Sequence, residues 1–313
     1  MNLIHYVPVE PKVDFLGRKR LFALFSILMV LGSIALFLVK GLDYGVDFEG
    51  GTLLEIQTTQ NPADLQGLRG TLNGLGLGDV VLQRFGEPDV VLINVPRQAG
   101  EAEAQEAGLS QVRQALQGEV VEYRRVESVG PKVGSELRLA AAVATLLSML
   151  GIMIYVWVRF DLVYGAAALA ALAHDVVIVI GFYALTGIEF NLATLAAVLT
   201  VAGYSINDTV VIFDRVREEL RRFKKLPIDE VLNKAINATL SRTILTSGTT
   251  LLALLALYFF GGEVIRGFSA GIIVGIVVGT YSSIAVAVPA LTLARLRPSG
   301  PTGEQPEKVK PAV

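Results

Sequence analysis

Residues 203–217, GYSINDTVVIFDRVR, close a long apolar run that begins near residue 192. Within this run, Asp208 has only apolar or small polar neighbours in sequence. A run of this length predicts a helix that crosses a membrane. A charge near the middle of a bilayer costs about 3 kcal/mol or far more, depending on the scale used. Asp208 is therefore expected to face a polar partner inside a helix bundle, or to bind and release protons.

The composition of the whole chain favours a membrane protein. Of its 313 residues, 52% are hydrophobic and only 18% are charged, and the mean hydropathy is +0.55. A formal net charge of −2 gives no electrostatic reason to expect a nucleic-acid partner. The absence of cysteine excludes disulfides and thiolate sites. The two histidines, His5 and His174, are too few and too distant in sequence to predict a metal site, and no cofactor is expected.

Six apolar runs are long enough to cross a bilayer. They are residues 21–39, 137–158, 162–185, 190–214, 242–260 and 267–294. Residues 1–20 are predicted as a polar cytoplasmic N-terminus. A cleaved signal peptide is the alternative for the first run, but that run is long for one and no small-residue cleavage site follows it. Residues 215–241 are predicted as a basic cytoplasmic loop and residues 295–313 as a disordered cytoplasmic tail.

The polar region between the first two runs, residues 40–136, is predicted to be a separate domain. It contains strand-like and helix-like stretches. The strands are predicted at 52–58, 79–85, 89–95 and 119–126, and the helices at 62–75 and 101–117. This βαββαβ order is typical of a ferredoxin-like fold. The predicted fold class is an α-helical membrane protein with six transmembrane helices, one plus five, and an external ferredoxin-like domain between helices 1 and 2.

Basic residues near the ends of the runs predict the orientation. They cluster at alternate ends, which places them on one side of the membrane: the N-terminal segment, Arg159, the segment 215–225, Arg295 and Arg297. The connection 186–191 has no Lys or Arg, and the connection 261–267 has only Arg266. Both termini are therefore expected in the cytoplasm, and the ferredoxin-like domain outside.

Asp208 and Arg242 are predicted to be partners in proton handling. Asp208 lies about 9 Å of helix before the interfacial residue Asp214. Arg242 begins the next run from the same membrane face, and its long side chain can bend several ångströms. Burial and a nearby guanidinium have opposite effects on the protonation of a carboxyl group, so movement of the cation can change it. The simpler alternatives are a structural ion pair for Asp208 and an interfacial anchor for Arg242.

Further polar residues in the runs complete the predicted site. Asp175, near the middle of the bilayer, is either a second relay carboxylate or a hydrogen-bond acceptor that joins helices. His174 is expected to point away from Asp175 and to pack, because adjacent helical residues do not share a face. A polar stripe at i, i+4 and i+8 begins at Arg242, although small polar residues also serve simple helix packing. The supporting polar shell is predicted to be Ser205, Asn207, Thr246 and Thr250.

The chain resembles the SecF family, the smaller subunits of the bacterial SecD–SecF protein-export complex, which is related to the resistance-nodulation-division transporters. The resemblance covers about residues 13–296 and lies in five blocks. They are DFLGRKR at 14–20, GVDFEGGT at 45–52, His174-Asp175, GYSINDTVVIFDR at 203–215 and RTILTSGTT at 242–250. The second block contains the residues of the family motif after helix 1, Asp47, Gly50 and Gly51. Glu49 is a minor departure from the family pattern.

The resemblance implies a function in protein export rather than an enzymatic one. It implies a partner SecD with a similar six-span layout, docking to the SecYEG channel, and use of the proton gradient to pull an exported unfolded polypeptide outward late in translocation. The location implied is the bacterial cytoplasmic (inner) membrane. The intramembrane aspartate of the family maps onto Asp208 and its proton-path arginine onto Arg242, and one further carboxylate is expected from SecD.

Two other functions are open to a chain of this kind. Two intramembrane aspartates suggest an intramembrane aspartyl protease, but Asp208 follows Ser-Ile-Asn rather than the Gly-x-Gly that such enzymes use. A proton-driven small-molecule exporter of related fold usually carries two halves on one long chain, each with a large external domain. This sequence has one half and one compact domain.

Overall fold

The computed structural model describes residues 11–78, 80–98 and 102–293. Within them, six helices are long and apolar enough to cross a membrane, which confirms the predicted number of spans. These candidate spans are Leu16–Lys40, Val133–Arg159, Leu162–Thr186, Leu192–Arg222, Ile228–Phe260 and Ile265–Leu293. The predicted tail at 295–313 and the first ten residues of the predicted N-terminal segment lie outside the described residues.

The first membrane helix leads directly into the separate domain. A 3₁₀ turn (Leu16–Arg18) precedes α1 (Lys19–Lys40), and the short α2 (Val46–Glu49) follows. The domain then contains the following elements in chain order: β1 (Gly51–Thr58), α3 (Leu65–Asn73), β2 (Val81–Arg84), β3 (Val90–Pro96), α4 (Ala102–Ala115) and β4 (Val120–Val129). The strands form one antiparallel sheet in the order β2-β3-β1-β4. This order confirms the predicted ferredoxin-like fold.

The start of α3 differs from the predicted helix at 62–75. The helix begins at Leu65, and its N-cap is Asp64, whose carboxylate accepts hydrogen bonds from the backbone N–H groups of Gln66 and Gly67. The sequence favours Asn61 as the N-cap and Pro62 as the first helical residue, but the oxygen of Asp64 satisfies two of the N–H groups left free at a helix start.

Five long helices complete the chain: α5 (Pro131–Arg159), α6 (Leu162–Thr186), α7 (Leu192–Arg222), α8 (Ile228–Phe260) and α9 (Glu263–Ser282). A π-helical turn (Ser283–Ala287), α10 (Val288–Ala290) and a 3₁₀ turn (Leu291–Leu293) extend α9. The helices α6, α7 and α9 bury much of their surface, whereas α1, α5 and α8 remain largely exposed. The centre of the bundle is therefore α6, α7 and α9.

The segment 215–241, predicted as a loop, is mostly helical. The helix α7 continues to Arg222 and α8 begins at Ile228, so only residues 223–227 connect them. Arg215 forms ion pairs with Glu218 and Glu219, each at 2.7 Å, at the i+3 and i+4 positions that stabilise a helix. Helices of 31 and 33 residues are about 46 and 50 Å long, so both project well beyond a hydrocarbon layer of about 30 Å.

The chain between α2 and β1 requires glycine. Gly50 has φ +76° and Gly51 has φ +132°, a region that residues with a Cβ rarely adopt. A Cβ at Gly51 would also lie 2.6 Å from the carbonyl oxygen of Val95 on β3, the neighbouring strand of the sheet. The paired glycines therefore set both the turn and the close approach of β1 to β3.

We expect Gly51→Ala to destabilise the external domain by about 1 to 3 kcal/mol, because the new Cβ meets a backbone oxygen in a strained conformation. Hydrogen exchange of the β1 and β3 amides, measured on the full chain in lipid nanodiscs, should accelerate. Gly70→Ala is the matched control, since a Cβ there meets nothing within 4 Å and α3 should gain stability. Equal protection of β1 in the two variants would contradict the prediction.

Candidate functional site

Asp208 is held inside the bundle by hydroxyl groups from two other elements. It lies on α7 and is 8% exposed. The Thr243 Oγ1 of α8 donates a hydrogen bond to its Oδ1 at 2.8 Å, and the Ser283 Oγ of the π-helical turn donates to its Oδ2 at 3.0 Å. No cationic side chain among the described residues contacts this carboxyl group. The arrangement satisfies a buried carboxyl group without a salt bridge.

Asp175 is fully buried on α6, accepts hydrogen bonds from two hydroxyl groups and contacts a histidine ring. Ser205 of α7 and Ser282 of α9 donate to its Oδ2 at 2.5 and 2.7 Å. The Nδ1 of His174 lies 2.8 Å from its Oδ1. The prediction that His174 points away from Asp175 is wrong, because the short aspartate side chain lets its carboxylate reach the ring of the preceding residue.

The two aspartates are connected through consecutive residues of one helix. Ser282 ends α9 and binds Asp175, whereas Ser283 begins the π-helical turn and binds Asp208. A π-turn is wider than an α-turn and occurs often at functional sites. Because adjacent serines hold carboxyl groups on two different helices, a movement of this turn acts on both aspartates together.

Glycines on α9 allow the close helix packing on which these hydrogen bonds depend. A Cβ at Gly275 would lie 2.1 Å from a methyl carbon of Val201 on α7, and a Cβ at Gly279 would lie 3.1 Å from the Cβ of Ser205. Small residues let membrane helices approach in this way. The glycines recur every fourth residue in sequence, a pattern that could have identified the face of α9 that packs on α7.

Arg242, the predicted partner of Asp208 in proton handling, is exposed on α8. Its guanidinium forms no hydrogen bond or ion pair with any residue that the structure describes. The contact with Asp208 comes instead from the next residue, Thr243, which is fully buried. The structure therefore places the predicted pair in the same region without joining them.

The predicted polar shell contributes only one hydrogen bond to a carboxyl group. Ser205 reaches Asp175, while Asn207 is exposed and bonds neither aspartate. Thr246 and Thr250 donate to carbonyl oxygens of their own helix. The buried polar stripe of α8 instead contains Thr239, Thr243 and Ser247.

That buried stripe is offset by one residue from the predicted stripe of Arg242, Thr246 and Thr250. Sequence reasoning therefore missed Thr243 and the serine pair 282–283. A hydroxyl pair inside an apolar run was the available signal for the serines.

At the outer end of the bundle, the predicted motif joins the domain to the start of α7. The Oδ2 of Asp47 accepts a hydrogen bond from the backbone N–H of Leu192 at 2.9 Å, and Asn191 provides the N-cap of the same helix. Backbone hydrogen bonds join Gly45 and Asp43 to Phe190. The domain is thus attached directly to the helix that contains Asp208.

Glu189 lies at this junction in an acidic environment. Burial raises the pKa of its carboxyl group, and the negative charges of Asp43 and Asp47 raise it further, while Arg125 and a hydrogen bond with Asn191 oppose them. A Cβ at Gly45 would lie 2.3 Å from the Glu189 Oε1, so the glycine makes room for the carboxyl group. A cavity of about 340 Å³ opens beside it, between this loop and the sheet.

Comparison with known proteins identifies close relatives. The family described as "Protein export membrane protein SecD/SecF, C-terminal" matches residues 110–297, and the "SecD/SecF GG Motif" matches residues 35–62. The protein translocase subunit SecF of Rickettsia rickettsii (strain Sheila Smith) is 46% identical over 93% of this chain and 94% of its own length. That of Calditerrivibrio nitroreducens is 42% identical over 91% of this chain and 95% of its own length.

Two solved structures share the fold. The crystal structure of SecDF, a translocon-associated membrane protein from Thermus thermophilus, has a TM-score of 0.82 and 39% identity. A crystal structure of SecDF in a super-membrane-facing form has a TM-score of 0.67 and 37% identity. Each similarity covers 91% of this chain but only 39% of the SecDF chain, so this chain spans about two fifths of those longer proteins.

Thr243→Val is expected to lower the free energy of unfolding by about 1 to 3 kcal/mol, because it leaves the buried Asp208 without one of its two donors. Thr246→Val should change it by about 0.5 kcal/mol or less, since that hydroxyl is exposed and bonds its own helix. The unfolding temperatures of both variants are compared in the same lipid nanodiscs. A larger loss for Thr246→Val would support the predicted stripe over the observed one.

Glu189→Gln is expected to flatten the pH dependence of stability. The folded protein holds the Glu189 proton more tightly than the unfolded chain does, because the pKa is raised in the folded state. The free energy of unfolding therefore falls as the pH rises from the ordinary value of 4.5 through the raised pKa. Above that range the Gln variant should be the more stable. Glu106→Gln, at an exposed position, is the control in unfolding measured against pH.

Proposed function

The chain belongs to the SecF subunits of the SecD/SecF family of protein export membrane proteins, and we propose that it uses the proton gradient across a bacterial cytoplasmic (inner) membrane to promote late translocation of exported proteins. The observation that carries the proposal is Asp208, a carboxyl group in a membrane span that is bound only by hydroxyl groups. A carboxyl group at this depth is energetically costly, so its presence indicates a function.

The hydroxyl environment suits a group that changes its protonation. A hydroxyl donates one hydrogen bond and accepts others, so Thr243 and Ser283 can satisfy Asp208 in its ionised form and, after rotation, in its protonated form. A salt bridge would favour the ionised form alone. Arg242 directly precedes Thr243, which bonds Asp208, and an approach of its guanidinium would favour release of the proton.

The helix α7 connects a change in the protonation of Asp208 with the external domain. From Asp208 to its first residue, Leu192, the helix runs without interruption for about 24 Å. At that end it is bonded to Asp47, close to β1 of the external domain. Each proton that crosses the membrane supplies about 2.3 kcal/mol per 100 mV. That energy is enough to shift an equilibrium between two positions of the external domain by more than tenfold.

The exposed polar surface of α8 supports SecD as the partner. Arg242, Thr246 and Thr249 are exposed within a candidate span. An arginine facing lipid at this depth is costly, and a partner helix with a carboxylate would cover it. The SecDF chain, of which this chain matches only 39%, is long enough to contain such helices. We propose that SecD supplies the further carboxylate of the path.

Further parts of the proposal rest on the family and on charge. Docking to the SecYEG channel and action on an exported unfolded polypeptide follow from family membership. The basic residues at the α7–α8 end of the bundle favour a cytoplasmic position for both termini and an external position for the ferredoxin-like domain. The two SecDF structures match this chain at different TM-scores with nearly equal identity and coverage, which supports a fold that takes more than one arrangement.

The alternative functions gain no support from the site. In an aspartyl protease, two carboxyl groups share a proton, so they must be in direct contact. Asp175 and Asp208 are each bound by separate hydroxyl groups and make no hydrogen bond to one another. No observation among the described residues favours a small-molecule exporter.

Asp208→Asn and Arg242→Ala are each expected to abolish the part of export that depends on the proton gradient, while the subunit remains assembled with SecD. Asparagine keeps the size of the side chain and one acceptor but cannot ionise. The measurement is export of a secreted protein into membrane vesicles, with and without a proton ionophore. Thr200→Val is the control, since this exposed hydroxyl of α7 bonds only its own helix.

Export measured with the ionophore distinguishes loss of gradient-dependent export from its retention. If the proposal holds, both variants export at the rate that the unchanged protein shows with ionophore present, and the ionophore has no further effect on them. Full gradient-dependent export by Asp208→Asn, at normal assembly, would contradict the role of this residue.

A further inference from the structure

We propose that His174 is a second proton-binding group of this chain, which takes up a proton at Nε2 and passes one to Asp175 from Nδ1. This inference deepens the proposed function, because it adds a group to the same polar network. It stands on the hydrogen bonds around Asp175 and on the burial of the imidazole ring, neither of which depends on an export assay.

In the proposal Asp175 is ionised, and the hydrogen bonds around this carboxylate then determine the tautomer of the ring. The carboxylate has three contacts that suit an acceptor: two hydroxyl groups at Oδ2 and the His174 ring at Oδ1. An ionised carboxylate can only accept hydrogen bonds, so the Nδ1 of His174 must carry the hydrogen. In the neutral ring, the Nε2 is then an unprotonated nitrogen with a free lone pair.

That lone pair has no partner. His174 is 6% exposed, and its Nε2 is buried without a hydrogen bond to any residue that the structure describes. Buried polar atoms in folded proteins are rarely left in this state, and an exception calls for an explanation. An unpaired basic nitrogen beside a carboxylate brings no advantage to a histidine that serves only for packing. A nitrogen that receives a proton needs a free lone pair.

The described residues packed around the ring add no second charged contact. On α9, the Tyr281 ring lies 6.2 Å from the imidazole ring between centroids, and its hydroxyl is bonded to Ser26 and to the carbonyl oxygen of Phe22 on α1. The helix α1 has no charged residue between its flanking basic residues, Arg20 and Lys40. On α7, Asp208 is engaged by Ser283 and Thr243. Asp175 is thus the charged group that the imidazole contacts.

The proton transfer balances without any other reactant. A proton that binds Nε2 converts the neutral imidazole into an imidazolium, paired with the Asp175 carboxylate. Transfer of the Nδ1 proton to Oδ1 then gives a neutral imidazole, protonated at Nε2, and a neutral carboxylic acid. Ser282 contacts that acid, and the adjacent Ser283 contacts Asp208, so the change at Asp175 reaches the turn that also holds Asp208.

The chain contains only two histidines, which makes the test direct. His5→Gln leaves His174 as the single histidine of the full chain, purified with a tag that lacks histidine and reconstituted in lipid bilayers. Its ring nitrogens, labelled with ¹⁵N, report the tautomer and the charge by solid-state NMR. We expect an unprotonated Nε2 and a protonated Nδ1 at high pH, and protonation of Nε2 as the pH falls.

Asp175→Asn in the same background is the matched comparison. Its side chain cannot take up the Nδ1 proton, and the preference for the Nδ1–H tautomer should decrease. A ring protonated at Nε2 at high pH in the unchanged site would overturn the inference, as would a ring whose Nε2 stays unprotonated as the pH falls.

The export assay then separates this inference from the proposed function. With His174→Gln we expect loss of gradient-dependent export at unchanged assembly and an unchanged unfolding temperature. If His174→Gln exports normally at every pH while Asp208→Asn does not, the inference fails and the proposed function stands. If Asp208→Asn exports normally while the ring titrates as expected, the proposed function fails and the second proton-binding group stands.

Discussion

A carboxyl group buried at membrane depth must find its hydrogen-bond partners inside the protein, because the surrounding hydrocarbon offers none. This constraint shapes the centre of the bundle. Asp175 and Asp208 receive their partners from α7, α8 and the end of α9, so none of α6, α7, α8 and α9 can shift alone without changing the bonds of at least one carboxyl group. Hydroxyl groups can follow a change in protonation, whereas a buried ion pair resists it, because separation leaves an uncompensated charge. The absence of a cation in contact with Asp208 among the described residues is therefore consistent with a group that changes state.

The same bonds require helices that pack more closely than large side chains permit. Gly275 and Gly279 remove the side chains that would keep α9 away from α7, and the π-helical turn then directs two consecutive serines towards two different helices. At the outer end, Asp47 accepts a hydrogen bond from the first N–H group of α7, so the helix with Asp208 is also the helix bonded to the external motif. A local change at the carboxyl group and the position of the external domain thus involve one continuous rigid element.

The sequence predicts the architecture well because apolar length and strand alternation are strong, local signals. The six spans and the βαββαβ order follow from them. The candidate site is harder, because helix spacing defines which residues share a face but not which face is buried. The stripe of Arg242, Thr246 and Thr250 is a genuine helical face, yet the adjacent face with Thr243 packs inward, where α7 and α9 lie. His174 shows a second limit. Adjacent helical residues point in different directions from the helix axis, but the side chains of Asp175 and His174 still reach each other. Such contacts depend on tertiary packing.

The distribution of satisfied and unsatisfied groups finally indicates where the chain needs another protein. Inside the bundle, the aspartates have their partners, and the polar face of α8 that packs inward is bonded. On its outer face, α8 presents Arg242 within a candidate span, with no counter-charge among the described residues. Lipid can cover the apolar faces of α1 and α5, but it is a poor neighbour for a guanidinium and a row of threonines. A polar partner with a negative charge beside α8, as proposed for SecD, would satisfy both groups. Such a partner would place that charge in competition with Asp208 for the same arginine, which would make the protonation of each carboxyl group depend on the position of the other.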